Sequence, residues 1–185
     1  YTTLGIFLAF FVIFRLGTAF FNSYVSEKQL TALTTALHTD QMYLEQQGDE
    51  IIKNKLLVDA LVLKDRNAVL DIIKDELKNR SIGTLSLVDA KGFVIGRSSN
   101  YGKYGDNVFL TTAIGRKVSE SKPAQSIEAV TAGDQMYITT GRPIFQGKQL
   151  LGALFANYLL DANYAQHLKQ VYLTQGSEIA FYTKT

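Results

Sequence analysis

From Leu4 to Phe21 the chain reads LGIFLAFFVIFRLGTAFF, apolar around its whole circumference, with Arg15 the only charge. As a helix these residues would extend about 27 Å, close to the hydrocarbon thickness of a bilayer. A buried core helix is the alternative, because Arg15 is costly near a membrane centre. A small domain rarely buries a helix on every side, so the pattern predicts a membrane anchor over residues 1–21. Arg15 would then lie toward the outer end or snorkel to the interface. Phe20, Phe21 and Asn22 make a poor cleavage site, so the anchor is expected to stay attached. Because the chain starts at Tyr1 without a methionine, further residues are expected upstream.

Residues 22–80 switch to a one-sided pattern. Leu30, Leu37, Leu44, Ile51 and Val58 recur every seven residues, with Leu33, Leu56 and Leu61 widening the stripe. No proline interrupts them, which predicts a long helix, bent or broken where Gly48 stands. The stripe suits a helix packed on its own domain at least as well as a dimer seam, since Asp40 and Gln47 fall at the second seam position. A homodimer through this stalk is the expectation that follows if the seam is used. A second helix begins at Asp65, its cap, with Val69, Ile72, Ile73 and Leu77 on one face.

At Ser81 the period falls to two. Residues 82–88 and 93–98 read as a hairpin around the turn Asp89-Ala90-Lys91-Gly92. A loop rich in glycine and tyrosine (NYGKYGDN) leads to a short helical stretch over 108–119. Three strands follow at 125–130, 135–145 and 149–160, then a helix over 161–173. Strands joined by tight turns predict an antiparallel sheet in an α+β fold, not a doubly wound one. The last residues, 174–185, contain SEIAFY, which looks like one more strand.

Composition narrows the chemistry. The balance of 19 basic and 17 acidic side chains leaves a net charge of +2, too even for a nucleic-acid footprint. There is no cysteine, so disulfides, thiolate metal sites and cysteine nucleophiles are excluded. Only His38 and His167 are available for imidazole chemistry, and they lie far apart with no metal-spaced partner. No Walker loop, dinucleotide fingerprint or calcium loop is present, and the pairs Asp49-Glu50 and Asp75-Glu76 read as solvated helix faces. No metal or cofactor is expected, and a membrane-anchored enzyme would need a cluster of titratable groups that the sequence does not show.

The order of these parts resembles a Cache domain, the PAS-like extracytoplasmic sensor of bacterial chemoreceptors, sensor kinases and cyclic-dinucleotide enzymes. The resemblance rests on SLVDAKGFVIGRSS and ITTGRPIFQGKQLLGALFANYLL behind an anchor and a long helix, and it covers residues 22–173. It implies a PAS-like antiparallel sheet over 81–173, preceded by helices over 22–80 and an inner-membrane anchor. The tail at 174–185 would start a second module, as in double Cache receptors; a single module returning to the membrane is the rival arrangement. The resemblance further implies a small-molecule ligand held between the sheet and the helical cover.

Pocket candidates are Arg97, Tyr101, Tyr104, Asn107 and Phe109 from the cover, and Tyr137, Thr139, Arg142 and Asn157 from the strands. Arginine would grip a carboxylate through paired hydrogen bonds, and tyrosine offers an apolar wall with a polar tip. Each has a plainer role: Arg97 solvated, the tyrosines on the sheet rim, Phe109 in the core, Arg142 paired with Asp134 or Glu128. Asn157 is the least easily dismissed, because it interrupts an apolar strand and a buried amide needs partners. Cache domains that bind amino acids carry an arginine and an aromatic pair on the cover and an aspartate on the last strand. Here Asn107, Phe109 and Leu110 stand at the first three places and Asn157 at the last, and only Tyr137 fits. The resemblance therefore argues against an α-amino-acid ligand and leaves open a neutral or weakly charged ligand, a carboxylate bound through Arg97 or Arg142, or no ligand. A ligandless structural or dimerisation module is the alternative function.

Overall fold

The computed structural model describes the backbone of residues 2–130, 135–173 and 179, and the side chains of these from residue 27 onward except 128–130 and 135. Helix α1, Thr2–Ile51, is followed by α2, Lys55–Leu63, and α3, Arg66–Asn79. Gly48 does not interrupt α1. The break comes three residues later, where Asn54 caps α2 by accepting from the Leu56 amide at 3.0 Å. Lys64 ends α2 in the left-handed region, φ 55°. Asp65 caps α3 as its position predicts, accepting from the amides of Asn67 and Ala68.

The remaining elements are β1 (Thr84–Asp89), β2 (Val94–Arg97), α4 (Val108–Thr111), α5 (Ala113–Ser119), β3 (Ala124–Val130), β4 (Gln135–Gln146), β5 (Gln149–Leu159) and α6 (Ala162–Tyr172). All strands pair antiparallel in one sheet ordered β2-β1-β5-β4-β3. The predicted α+β class and antiparallel sheet are therefore present, with β5 bridging the hairpin and the meander. The β4–β5 hairpin closes through Gly147 and Lys148, Gly147 holding φ 61°. In the β1–β2 turn the Asp89 carboxylate accepts from the amides of Lys91 and Phe93, both at 2.9 Å. Gly92 adopts φ 86°, and a Cβ there would fall 2.4 Å from Phe109 Cγ. The strand expected within 174–185 lies outside the described residues, as does the turn at 131–134.

Both faces of the sheet are covered, and the strand period of two divides the residues between them. Leu85, Leu87, Ile138, Ile144, Leu154 and Ala156 face α1, α2, α3 and α6, where they meet Leu44, Ile51, Leu57, Ile73 and Leu168. Each such fully buried aliphatic contributes about 2 kcal/mol. The heptad stripe is thus used inside the domain from Ala36 onward, while Leu30 stays 66% exposed. On the other face Val88, Ala153 and Phe155 pack against Phe109, Ile114 and Val118 of the cover. Gly141 allows that approach, because a Cβ there would meet Val118 Cγ2 at 2.5 Å.

The residues of the expected anchor, Leu4–Phe21, form the first part of α1, but their side chains lie outside those described. Among the described residues no helix is long and apolar enough to cross a membrane.

Candidate functional site

The cover of α4 and α5 seals only part of the sheet. Beside its apolar packing a cleft of about 350 Å³ opens, floored by β1, β4 and β5 and walled by β2, the loop before α4, and the cover itself. Strand register explains the polar floor. Thr84 on β1 stands opposite Asn157 on β5, which stands opposite Thr139 on β4, making one polar row across three strands. The Asn157 amide donates to Thr84 Oγ1 at 3.0 Å, which answers the requirement that an amide inside an apolar strand find a partner. The next row joins Arg97, Ser86 and Phe155. Tyr137 adds a phenol beyond Thr139, and Val108, Ile114 and Phe155 give the cleft an apolar wall.

Arg97 is the most constrained polar group here. Its Nη2 donates to both carboxylate oxygens of Asp106, at 2.5 and 2.6 Å. Its Nε is buried and finds no hydrogen-bond partner among the described residues. Burial pushes the Asp106 carboxyl upward, but the hydrogen bond and charge of Arg97 outweigh it and hold the group below its ordinary value.

Four of the nine expected residues meet in this cleft: Arg97, Tyr137, Thr139 and Asn157. The other five lie elsewhere, each for an identifiable reason. Tyr101 and Tyr104 turn outward onto α3, where Lys74 lies over the first ring at 5.4 Å and Arg66 over the second at 4.4 Å. Arg66 also donates to the Tyr101 carbonyl. Asn107 is a cap: it accepts from the Leu110 amide and donates to the Lys91 carbonyl at 3.0 Å. Phe109 is core, set edge-to-face against Phe155 at 6.5 Å. Arg142 points through the opposite face of the sheet, 2% exposed, toward Glu45 and Asp49 of α1. The side chains of Asp134 and Glu128, the partners the sequence suggested for it, lie outside those described. Burial lowers the pKa of its guanidinium.

Several cleft residues escaped the sequence reading. Thr84 and Ser86 alternate with Leu85 and Leu87, a pattern that reads as a solvent face unless the second face is known to be covered. Asp106 stood in a loop with no motif around it. The acidic pairs read as solvated are also engaged: Asp49 with Arg142, Glu50 and Glu76 with Arg80, Asp75 with Lys78. The Arg80 hydrogen bond lowers the Glu50 carboxyl pKa, and Glu50 in turn raises that of Arg80. Among the described residues no cluster of three histidine or acidic side chains is arranged to hold a metal.

The chain matches no protein-family model and no curated protein. Solved structures do match. The sensor domain of the V. cholerae histidine kinase DctB is 18% identical with a TM-score of 0.59, over 85% of this chain and 61% of that one. The E. coli DcuS sensor domain is 9% identical at a TM-score of 0.60, over 74% and 98%. The ligand-binding domain of the Campylobacter jejuni chemoreceptor Tlp3, solved with 4-methylisoleucine, is 15% identical at 0.53, over 79% and 57%. The chain thus spans about three fifths of the DctB and Tlp3 domains. All three are sensory domains rather than catalytic ones, and at these identities the likeness establishes the fold. The chain therefore has the Cache-type, PAS-like fold of bacterial sensor domains.

Proposed function

We propose that this chain is the extracytoplasmic small-ligand sensing module of a bacterial transmembrane signalling receptor, and that the cleft under α4 and α5 is its ligand site. The observation that carries this reading is the polar row Thr84–Asn157–Thr139, with Tyr137 and Arg97 beside it, set in a concave opening next to the apolar packing of the cover. A sheet face covered only for stability is better served by aliphatic residues, whereas ligand sites combine an apolar wall with a few convergent polar groups. The run Leu4–Phe21 is the inner-membrane anchor in this reading, with the domain on the periplasmic side and α1 leading from the cleft domain to the membrane. A ligand can signal along that path only by binding one arrangement of sheet and helix better than another.

The test is a thermal-shift screen of the chain against sugars, nucleobases, organic acids, amines and amino acids. A ligand that prefers the folded state raises the midpoint with dose. Asn157→Ala and Tyr137→Ala are expected to abolish that rise while leaving the unliganded midpoint within a few degrees. Unchanged affinity in both variants would move the site elsewhere, and a flat response across the panel would favour a ligandless structural module.

A further inference from the structure

The charges of the cleft form a closed pair. Among its described lining residues only Arg97 and Asp106 are ionised side chains, and one guanidinium nitrogen of Arg97 donates to both carboxylate oxygens of Asp106. The second arginine that could have met an anion, Arg142, lies on the other face of the sheet with Glu45 and Asp49. The other polar side chains of the cleft are neutral, hydroxyls and the one amide of Asn157.

We infer that Asp106 sets the charge preference of the cleft: by occupying Arg97 from within the chain it excludes carboxylates and leaves the site to uncharged, hydrogen-bonding molecules. This inference rests on the cleft being the ligand site. A carboxylate entering beside Arg97 must displace Asp106 or sit against it. Displacement exchanges one charge-assisted bond for an equivalent one and exposes the Asp106 charge to the newcomer. The resident carboxylate also competes as a tethered group, at an effective concentration of about the millimolar range, so a more dilute free anion is outcompeted. An ammonium fares no better, since Asp106 is already matched. A neutral ligand disturbs none of this. It needs only hydrogen-bonding groups that meet the polar row of Thr84, Asn157 and Thr139. The side chains of Arg97 and Asp106 are 15% and 42% exposed, so the pair is reachable from the cleft without being bathed in water. Arg97 keeps the Asp106 carboxyl ionised below its ordinary range, so the pair persists at neutral pH.

The experiment compares the full chain in detergent with Asp106→Asn, using sodium pyruvate and sodium succinate at matched ionic strength and glucose and uracil as uncharged solutes, read by calorimetric titration and thermal shift. Freed from its partner, Arg97 in the variant is expected to bind pyruvate or succinate at least about tenfold more tightly than the wild-type chain, the scale of one charge-assisted bond. Adding Arg97→Met to that variant is expected to remove the gain. Circular dichroism establishes folding, and Asp106→Ser repeats the comparison with a shorter neutral side chain. Arg97-dependent binding of a carboxylate by the wild-type chain would overturn the inference, as would folded Asp106→Asn and Asp106→Ser variants that gain none. If Asp106→Asn gains the anion while the wild-type chain answers no solute, the exclusion by Asp106 stands and the sensing reading fails.

Discussion

Arg142 shows how charge burial is managed in this molecule. The guanidinium is almost wholly removed from water, and neither Nε nor Nη2 makes a well-directed hydrogen bond there. Its two acidic partners, in contrast, are 37% and 50% exposed. The costs of breaking this triad are therefore unequal. In Arg142→Met the two carboxylates can rehydrate and the stem of the side chain is retained, so the loss is expected to be about 1 kcal/mol. In the double change Glu45→Ala with Asp49→Ala the arginine stays buried and unpaired, and the loss is expected to reach about 3 kcal/mol or more. Urea unfolding of the two variants checks the order, and equal losses would mean that the arginine escapes to water when its partners are gone. Parity could have placed Arg142 in advance. Residues 137 and 139 share one face of a regular strand and residue 142 takes the other, and the β4–β5 irregularity comes only at Ile144/Phe145.

At the scale of elements, local signals carried a long way. The seven-residue stripe, the cap at Asp65 and the two-residue alternation after Ser81 each specify an element without help from distant residues, because periodicity and capping are local physics. The cap makes a direct prediction. Asp65→Ala removes the acceptor for two amides at the start of α3, and should lower stability by about 1 kcal/mol. Asp65→Asn should restore most of it, and thermal melting of the two variants decides. The end of α1 was less legible. Leu44 and Ile51 continue in register to Val58, yet the helix stops at Ile51 and α2 restarts at Lys55. A break is needed for α2 and α3 to fold back onto the sheet, and the stripe resumes in α2 because that helix faces the same core.

For the whole molecule, among the described residues α1 packs on the domain core from Leu33 and Ala36 onward, well after the apolar run. A chain starting at Asn22 should therefore fold and remain in solution, while the chain retaining Leu4–Phe21 should require detergent. Sedimentation of both in detergent-free buffer reads this directly. A dispersed, monomeric longer chain would remove the anchor from the proposed function. The same geometry bears on the stalk: from Ala36 onward the stripe is already spent on the domain's own core, and the large apolar side chains of α1 that remain exposed among the described residues are Leu30, Met42 and Tyr43.

The sequence by itself determined the order of helical and strand regions, the α+β class, the antiparallel sheet, and the absence of cysteine, all of which follow from local periodicity, turn residues and composition. Of the cleft it indicated Asn157, because an amide inside an apolar strand is conspicuous on its own, and with it Tyr137, Thr139 and Arg97. Only the tertiary structure decided which of the candidates meet. The pairing of β1 with β5 joins Thr84 to Asn157 across 73 positions of chain, and folding of the tyrosine loop onto α3 removes Tyr101 and Tyr104 from the cleft while bringing Asp106 to Arg97. Such meetings depend on strand register and on which faces are covered, and those are properties of elements packed together, fixed by burial over the whole domain.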